Sequence, residues 1–244
     1  MRYISTRGQS TPVTAATALL TGLAPDGGLF LPETFPAGQG IALERSSELS
    51  YQGLAEEVLG LFLTDYTRSE LETCIRQAYS DNFDHPAITP VTMVEDNLGF
   101  LELWHGPTCA FKDLALQLLP RLLTVAVEKC HLEREIVLLV ATSGDTGKAA
   151  LEGFKDVPGT KVIVFYPETG VSAVQKRQMV TQEGANTFVV GVKGNFDQAQ
   201  AGVKALFTAN GFQQEMAAAG KTFSSANSIN WGRLVPQLIY YFKA

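Results

Sequence analysis

The sequence predicts an α/β fold with a parallel sheet and crossover helices, and three observations predict it. From Phe100 onward, short apolar runs alternate with stretches of helical pattern. One of those runs, Ile136 to Ala141, is apolar throughout, as a strand buried on both faces must be. The chain is 244 residues long and 45% hydrophobic, enough to bury a sizeable core as one large domain or two modest ones.

Residues 1 to about 95 read as an α+β entry region, in which an Asp26-Gly27-Gly28 turn precedes Leu29-Phe30-Leu31-Pro32. Between Tyr51 and Leu63, the residues Leu54, Val58, Leu61 and Phe62 share one helical stripe. A second helix, near Ser69 to Tyr79, opens on Ser69-x-x-Glu72, the spacing at which two side chains can each satisfy the other residue's free backbone N–H. Phe100 to Trp104 is a short apolar run, followed by a His105-Gly106-Pro107 turn and a helical pattern from about Lys112 to Lys129. Strands are expected at Ile136–Ala141, Lys161–Tyr166, Thr187–Val190 and Thr222–Phe223, with helices over 148–155, 171–182, 197–208 and 233–241. Gly194-Asn195-Phe196-Asp197 reads as a helix start. There is no internal repeat and no low-complexity tract.

Composition excludes several function classes. A formal charge of -6 and a pI near 5.1 come from dispersed carboxylates, and no basic block is present to neutralise nucleic acid or hold an anionic membrane. Three cysteines, Cys74, Cys109 and Cys130, show no metal-type spacing and suit free thiols in a reducing compartment, so no metal site is expected. The start of the chain has no apolar signal core, and no apolar run reaches the roughly 18 residues of a spanning helix, so a cytoplasmic enzyme is the expectation.

The feature richest in chemistry is Ala141-Thr142-Ser143-Gly144-Asp145-Thr146-Gly147, between an apolar strand and a helix. Its glycines permit a tight turn, and its hydroxyls and exposed N–H groups can hold a carboxylate or phosphate. An ordinary capped strand-to-helix connection would read the same way. Gly147-Lys148 is not the end of a P-loop, because the first glycine would fall at Thr142 and Ala149 stands where magnesium needs a hydroxyl. A dinucleotide fingerprint fails as well, since Gly144 and Gly147 have no third glycine in register. Lys112 comes after the His-Gly-Pro turn beside Phe111; partial burial there would favour the neutral amine, a nucleophile toward aldehydes. Taken alone, a lysine at a helix start is usually solvated. Cys109 reads as a small packing residue, His105 as a turn-fixing residue and Asp113 as a helix-start carboxylate.

Four segments in order, D-G-G-L-F-L-P (26–32), L-E-L-W-H-G-P-T-C-A-F-K-D (101–113), A-T-S-G-D-T-G (141–147) and S-S-A-N-S-I-N-W-G-R-L (224–234), resemble the motifs of threonine synthases, which depend on pyridoxal phosphate. The resemblance covers essentially the whole chain and implies the two-domain tryptophan synthase β-like fold, also called fold type II. It divides the chain into residues 1–95 as N-terminal region, 96–114 as the lysine-bearing edge of the cofactor domain, 115–220 as a mobile parallel-sheet domain, and 221–244 as the start of a return to the cofactor domain. It also implies Lys112 as the Schiff-base lysine and the base that moves protons between substrate carbons. Asp145 falls at the position facing the cofactor's ring oxygen, where many relatives carry asparagine; a carboxylate there needs a proton or a donor to avoid repulsion. Thr142, Ser143, Gly144 and Thr146 match the substrate-carboxylate loop, and Ser225, Asn227 and Arg233 match the segment that helps hold the phosphate of O-phosphohomoserine. A polar helix start capped by Asn227 or Ser228 is the plainer reading of that last segment.

The implied reaction converts O-phospho-L-homoserine and water to L-threonine and phosphate, a lyase chemistry, and the resemblance leaves a homo-oligomer open. Family members are considerably longer. Their S/T-G-N-F-G loop for the cofactor phosphate and their hydroxyl partner of the pyridine nitrogen are not seen before Ala244. The chain by itself is therefore expected to lack the C-terminal half of the fold and to bind cofactor weakly or be inactive. Two rivals stand beside this reading: a paralogue that eliminates phosphate and yields 2-oxobutyrate, and a non-catalytic binding or regulatory fragment.

Overall fold

The computed structural model describes residues 1–36 and 48–244. Strands β1 (Tyr3–Ser5) and β2 (Phe30–Pro32) pair antiparallel, with Ile4 opposite Leu31. Between them lies α1 (Ala15–Thr21), which the sequence pattern did not announce; Thr14 caps it by accepting from the Thr17 N–H. Next in the chain are helices α2 (Tyr51–Phe62) and α3 (Arg68–Ala78). Leu54, Val58 and Phe62 of the expected stripe are buried, joined by Ala55 and Leu59.

The capping box of α3 sits two residues earlier than the sequence suggested. Thr67 accepts from the Glu70 N–H at 3.3 Å and Glu70 accepts from the Thr67 N–H at 2.6 Å. Both spacings fit the pattern, and the helix takes the earlier one; Glu72 instead accepts from Arg68 at 2.8 Å. Two buried tyrosines tie this region to the stretch between Leu114 and Leu122. The Tyr79 hydroxyl donates to the Leu114 carbonyl at 2.6 Å, and that of Tyr66 to the Leu122 carbonyl at 3.0 Å.

Strands β3 (Val91–Glu95) and β4 (Leu98–Leu101) form an antiparallel hairpin that the sequence reading caught only as an apolar run. The expected helix over 112–129 is two: α4 (Asp113–Leu116) and α5 (Leu119–Lys129). Pro120 lies in the first turn of α5, where its missing N–H costs nothing, and so marks a new start within the pattern.

The parallel sheet runs β7-β6-β5-β8. Its strands are β5 (Glu135–Ala141), β6 (Thr160–Pro167), β7 (Thr187–Val192) and β8 (Lys221–Ser224). Helices α6 (Asp145–Phe154), α7 (Ala173–Val180), α8 (Phe196–Thr208) and α9 (Asn210–Ala218) connect them, with α9 an addition to the expected set. Asn195 caps α8 in a capping box with Gln198, as a helix start at that point requires.

The two-residue period of a strand explains the all-apolar run in β5. Ile136, Leu138 and Val140 enter the large core shared with the N-terminal helices, whereas Val137, Leu139 and Ala141 enter a second core with Ala199 and Val203 of α8. Each large aliphatic side chain among them contributes about 1.5–3 kcal/mol by burial. The strand therefore ends, at Ala141, as a rigid platform for the loop behind it.

The last expected helix is also split, into α10 (Trp231–Leu234) and α11 (Gln237–Lys243), with Pro236 between them. Its cap is Asn230, not Asn227 or Ser228: Asn230 accepts from the Gly232 N–H at 2.9 Å and donates to the carbonyls of Leu19 and Ser225, both at 2.9 Å. Among the described residues, no helix is long and apolar enough to cross a membrane.

Candidate active site

The loop after β5 is shaped by one hydroxyl. Thr142 Oγ1 accepts from the backbone N–H groups of Gly144 (3.1 Å) and Gly147 (3.0 Å) and donates to the Gly144 carbonyl (3.1 Å). The Thr142 side chain is thus spent inside the turn, while Ser143 is exposed and Thr146 half-buried on its outer side. Two glycines are required by close approach. A Cβ at Gly147 would stand 2.6 Å from Thr142 Cγ2, 2.7 Å from Met179 Sδ and 2.9 Å from Val164 Cγ1; one at Gly144 would stand 2.6 Å from Gln175 Oε1. Asp145 comes next as the first residue of α6, where a carboxylate complements the positive helix end.

The second loop, 105–112, carries the lysine. Asp113 is fully buried at the start of α4 and accepts from Thr108 twice, from its N–H at 2.8 Å and its hydroxyl at 2.6 Å. Burial raises the Asp113 carboxyl above the usual range, and the Thr108 bonds oppose that rise. Its work is therefore to close the loop on itself, beyond any helix-end effect. At the other end of the loop, His105 is held between Asp84 (Nδ1 to Oδ1, 2.6 Å) and Glu102 (Nε2 to Oε2, 2.7 Å). Partial burial alone would lower its pKa, but the hydrogen bonds to Glu102 and Asp84 prevail and hold it above the ordinary histidine value. Cys109 is not the packing residue the sequence suggested: it is exposed, with φ of +56°, at the tip of the turn.

The two loops meet. Lys112 Nζ donates to Asp145 Oδ1 at 2.5 Å, with the lysine side chain 19% exposed. Lys112 Nζ also lies 5.5 Å from the centre of the Phe111 ring, and the Arg233 guanidinium carbon lies 6.0 Å from that same centre. Arg233 is 2% exposed, and its Nε and Nη1 have no hydrogen-bond partner. Burial lowers its pKa from the ordinary arginine range, with Tyr240, Asp145 and Asp113 acting in the opposite sense. The 224–230 turn reaches the same strand end: Asn227 Nδ2 lies 3.4 Å from the Ala141 carbonyl, and buried Ser225 accepts from the Asn227 N–H at 3.1 Å.

Lys112, Asp145, Asn227 and Arg233 are thus joined around the end of β5, while Thr142 and Ser225 serve the turns that carry them. Gln175 was missed in the sequence. Ser172, the cap of α7, accepts from the Gln175 N–H and bonds its side-chain oxygen at 3.2 Å, which sets the amide over Gly144. Ser172-x-x-Gln175 has capping-box spacing and could have marked the start of that helix.

This arrangement defines a class: an α/β protein with an anion-holding loop at the carboxyl end of a parallel strand and a lysine amine set against it. The particular likeness is to threonine synthases. The family model for the threonine synthase N terminus matches residues 2–79. The threonine synthase of Pseudomonas aeruginosa is 41% identical over the whole chain, and threonine synthase-like 2 of Rattus norvegicus is 38% identical over the whole chain. A crystal structure of threonine synthase from Brucella melitensis, described as bound to PLP, superposes with a TM-score of 0.84 at 39% identity over 99% of the chain; that from Escherichia coli gives 0.85 at 33% over 100%. The chain spans about half the length of these relatives, 50% and 49% of the two sequences and 51% and 54% of the two structures. In sequence and in fold it corresponds to the N-terminal portion of a threonine synthase.

Proposed function

We propose that the chain carries the lysine side of a threonine synthase active site, in which pyridoxal phosphate is the cofactor and O-phospho-L-homoserine and water become L-threonine and phosphate. The observation that carries this reading is the Lys112 amine, partly buried and drawn onto the first residue of the helix behind the β5 loop. The residues fit such a cofactor: Lys112 supplies the amine that its aldehyde needs, and Asp145 is the group nearest to it. Bound pyridoxal phosphate supplies the electron sink that makes the substrate's Cα proton removable.

The chain's own residues do the rest. Lys112 Nζ takes the proton from Cα and carries protons between the substrate carbons, a task suited to an amine shielded on one side by Phe111. The N–H groups at the start of α6, with the Ser143 and Thr146 hydroxyls, hold the α-carboxylate, while Thr142 and Gly144 fix the turn. Arg233, whose Nε and Nη1 are unpartnered, takes the substrate phosphate together with the donors of Ser225 and Asn227. The division of the chain into a lysine-bearing edge up to residue 114 and a movable sheet domain from 115 to 220 belongs to the same proposal.

The test is phosphate release from O-phosphohomoserine by the full-length protein, with Lys112→Ala abolishing it. No release from the unaltered protein overturns the assignment. A second reading keeps its place because the chain is nearly as similar to threonine synthase-like 2 proteins as to threonine synthases. A phospho-lyase would give 2-oxobutyrate in place of threonine, and product analysis separates the two. A purely binding or regulatory chain would show no response to pyridoxal phosphate.

A further inference from the structure

The β3–β4 hairpin is apolar on both faces, and neither is covered. Val91 and Met93 lie over Gly99 on one face, where a Cβ at Gly99 would stand 3.1 Å from Val91 Cγ1 and 2.8 Å from Met93 Sδ. Leu98 and Phe100 share the opposite face. All four large side chains are exposed, Met93 at 58% and Phe100 at 54%, and Trp104, just beyond β4, is exposed at 50%. A two-stranded ribbon is marginal in water by itself, and a strand apolar on both faces belongs inside a layered sheet. A patch of this kind marks an interaction site.

We infer that this hairpin is the docking surface for the polypeptide corresponding to the second half of a threonine synthase. Three observations select that occupant over a second copy of the chain or an unrelated protein. Relatives at 38–41% identity are about twice as long as the span they share with this chain, so a comparable mass of folded protein accompanies it there. The uncovered residues run directly into His105 and the loop that ends at Lys112, so whatever covers them also abuts the candidate active site. Both faces need cover, which an intervening layered sheet provides and the single face of a symmetric dimer contact does not. The inference rests on the fold likeness and not on the role of Lys112.

The experiment compares this chain alone with the same chain continued, after Ala244, by the half of Pseudomonas aeruginosa threonine synthase that it does not match. Amide hydrogen exchange is read over 91–101, with β5 and β6 as internal reference, and sedimentation velocity reports the state of each. Exchange over the hairpin is expected to slow by roughly tenfold or more in the extended chain, with the reference strands unchanged. Met93→Lys with Phe100→Glu should restore fast exchange there; both side chains are exposed in the chain alone, so its own folding should tolerate them. Equal hairpin exchange in the two proteins overturns the inference, as does protection in a homodimer of the chain alone. Neither result depends on cofactor binding, so a failure here is distinct from a failure of the lysine assignment.

Discussion

Lys112 Nζ and Asp145 Oδ1 stand 2.5 Å apart across two loops that are 33 residues distant in sequence. This pair joins the start of α4 to the start of α6, and so couples the lysine to the loop proposed to bind substrate. The carboxylate is a competitor for that amine and a like charge for an anionic ring oxygen. Asp145→Asn is therefore expected to tighten pyridoxal phosphate binding by about 3- to 10-fold, read by absorbance titration. Weaker binding in the variant would show that the carboxylate holds the cofactor and does not repel it.

Arg233 sits 2% exposed with two unpartnered nitrogens, a costly placement for a cation that has no ligand. Arg233→Met should raise the stability of the ligand-free chain by about 1–3 kcal/mol in denaturant unfolding. The same substitution should remove any thermal stabilisation by inorganic phosphate. A destabilised variant would mean that the guanidinium is structurally satisfied.

Gly147 has side-chain neighbours that leave no room for a methyl group, with three atoms under 3.0 Å from where it would lie. Gly147→Ala is expected to destabilise the chain by about 1–3 kcal/mol, through movement of the α6 start away from Met179 and Val164. Unchanged unfolding midpoints would contradict the packing described.

Stability should also depend on pH through His105. Its pKa is raised in the folded chain by Glu102 and Asp84, above the value near 6.5 of an unfolded histidine. The folded state binds that proton more tightly, so the contribution is fully present below about pH 6.5 and fades as pH rises through the folded value. Thermal unfolding of the unaltered chain and of His105→Gln, measured from pH 6 to 9, should converge toward the alkaline end. A difference that grows with pH would reverse the assignment.

Much of this architecture was legible in the residues. The buried strand β5 announced itself by an unbroken apolar run, and the loop behind it by Gly144 and Gly147 in a cluster of hydroxyls. The N-terminal entry region gave way less easily: Ala15–Thr21 is short and nearly all apolar, so it shows no polar face by which to read a helical period. Pro120 and Pro236 each sit near a helix start, and a pattern of apolar spacing runs across such a break without notice. In the site, Lys112, Asp145 and Arg233 were named from motifs, but their meeting around Phe111 depends on a fold that no local pattern contains. Gln175 escaped because its position over Gly144 depends on how α7 lies on α6, a contact between elements separated by a whole strand.

The hydroxyl of Thr142 fastens its turn at three points before any ligand arrives. An incoming anion meets donors that are already aimed, so little chain freedom is surrendered on capture and little of the affinity is lost to ordering. Recognition at this corner should consequently be fast to form and insensitive to temperature, with selectivity left to the exposed Ser143 and to whatever Gln175 admits above it.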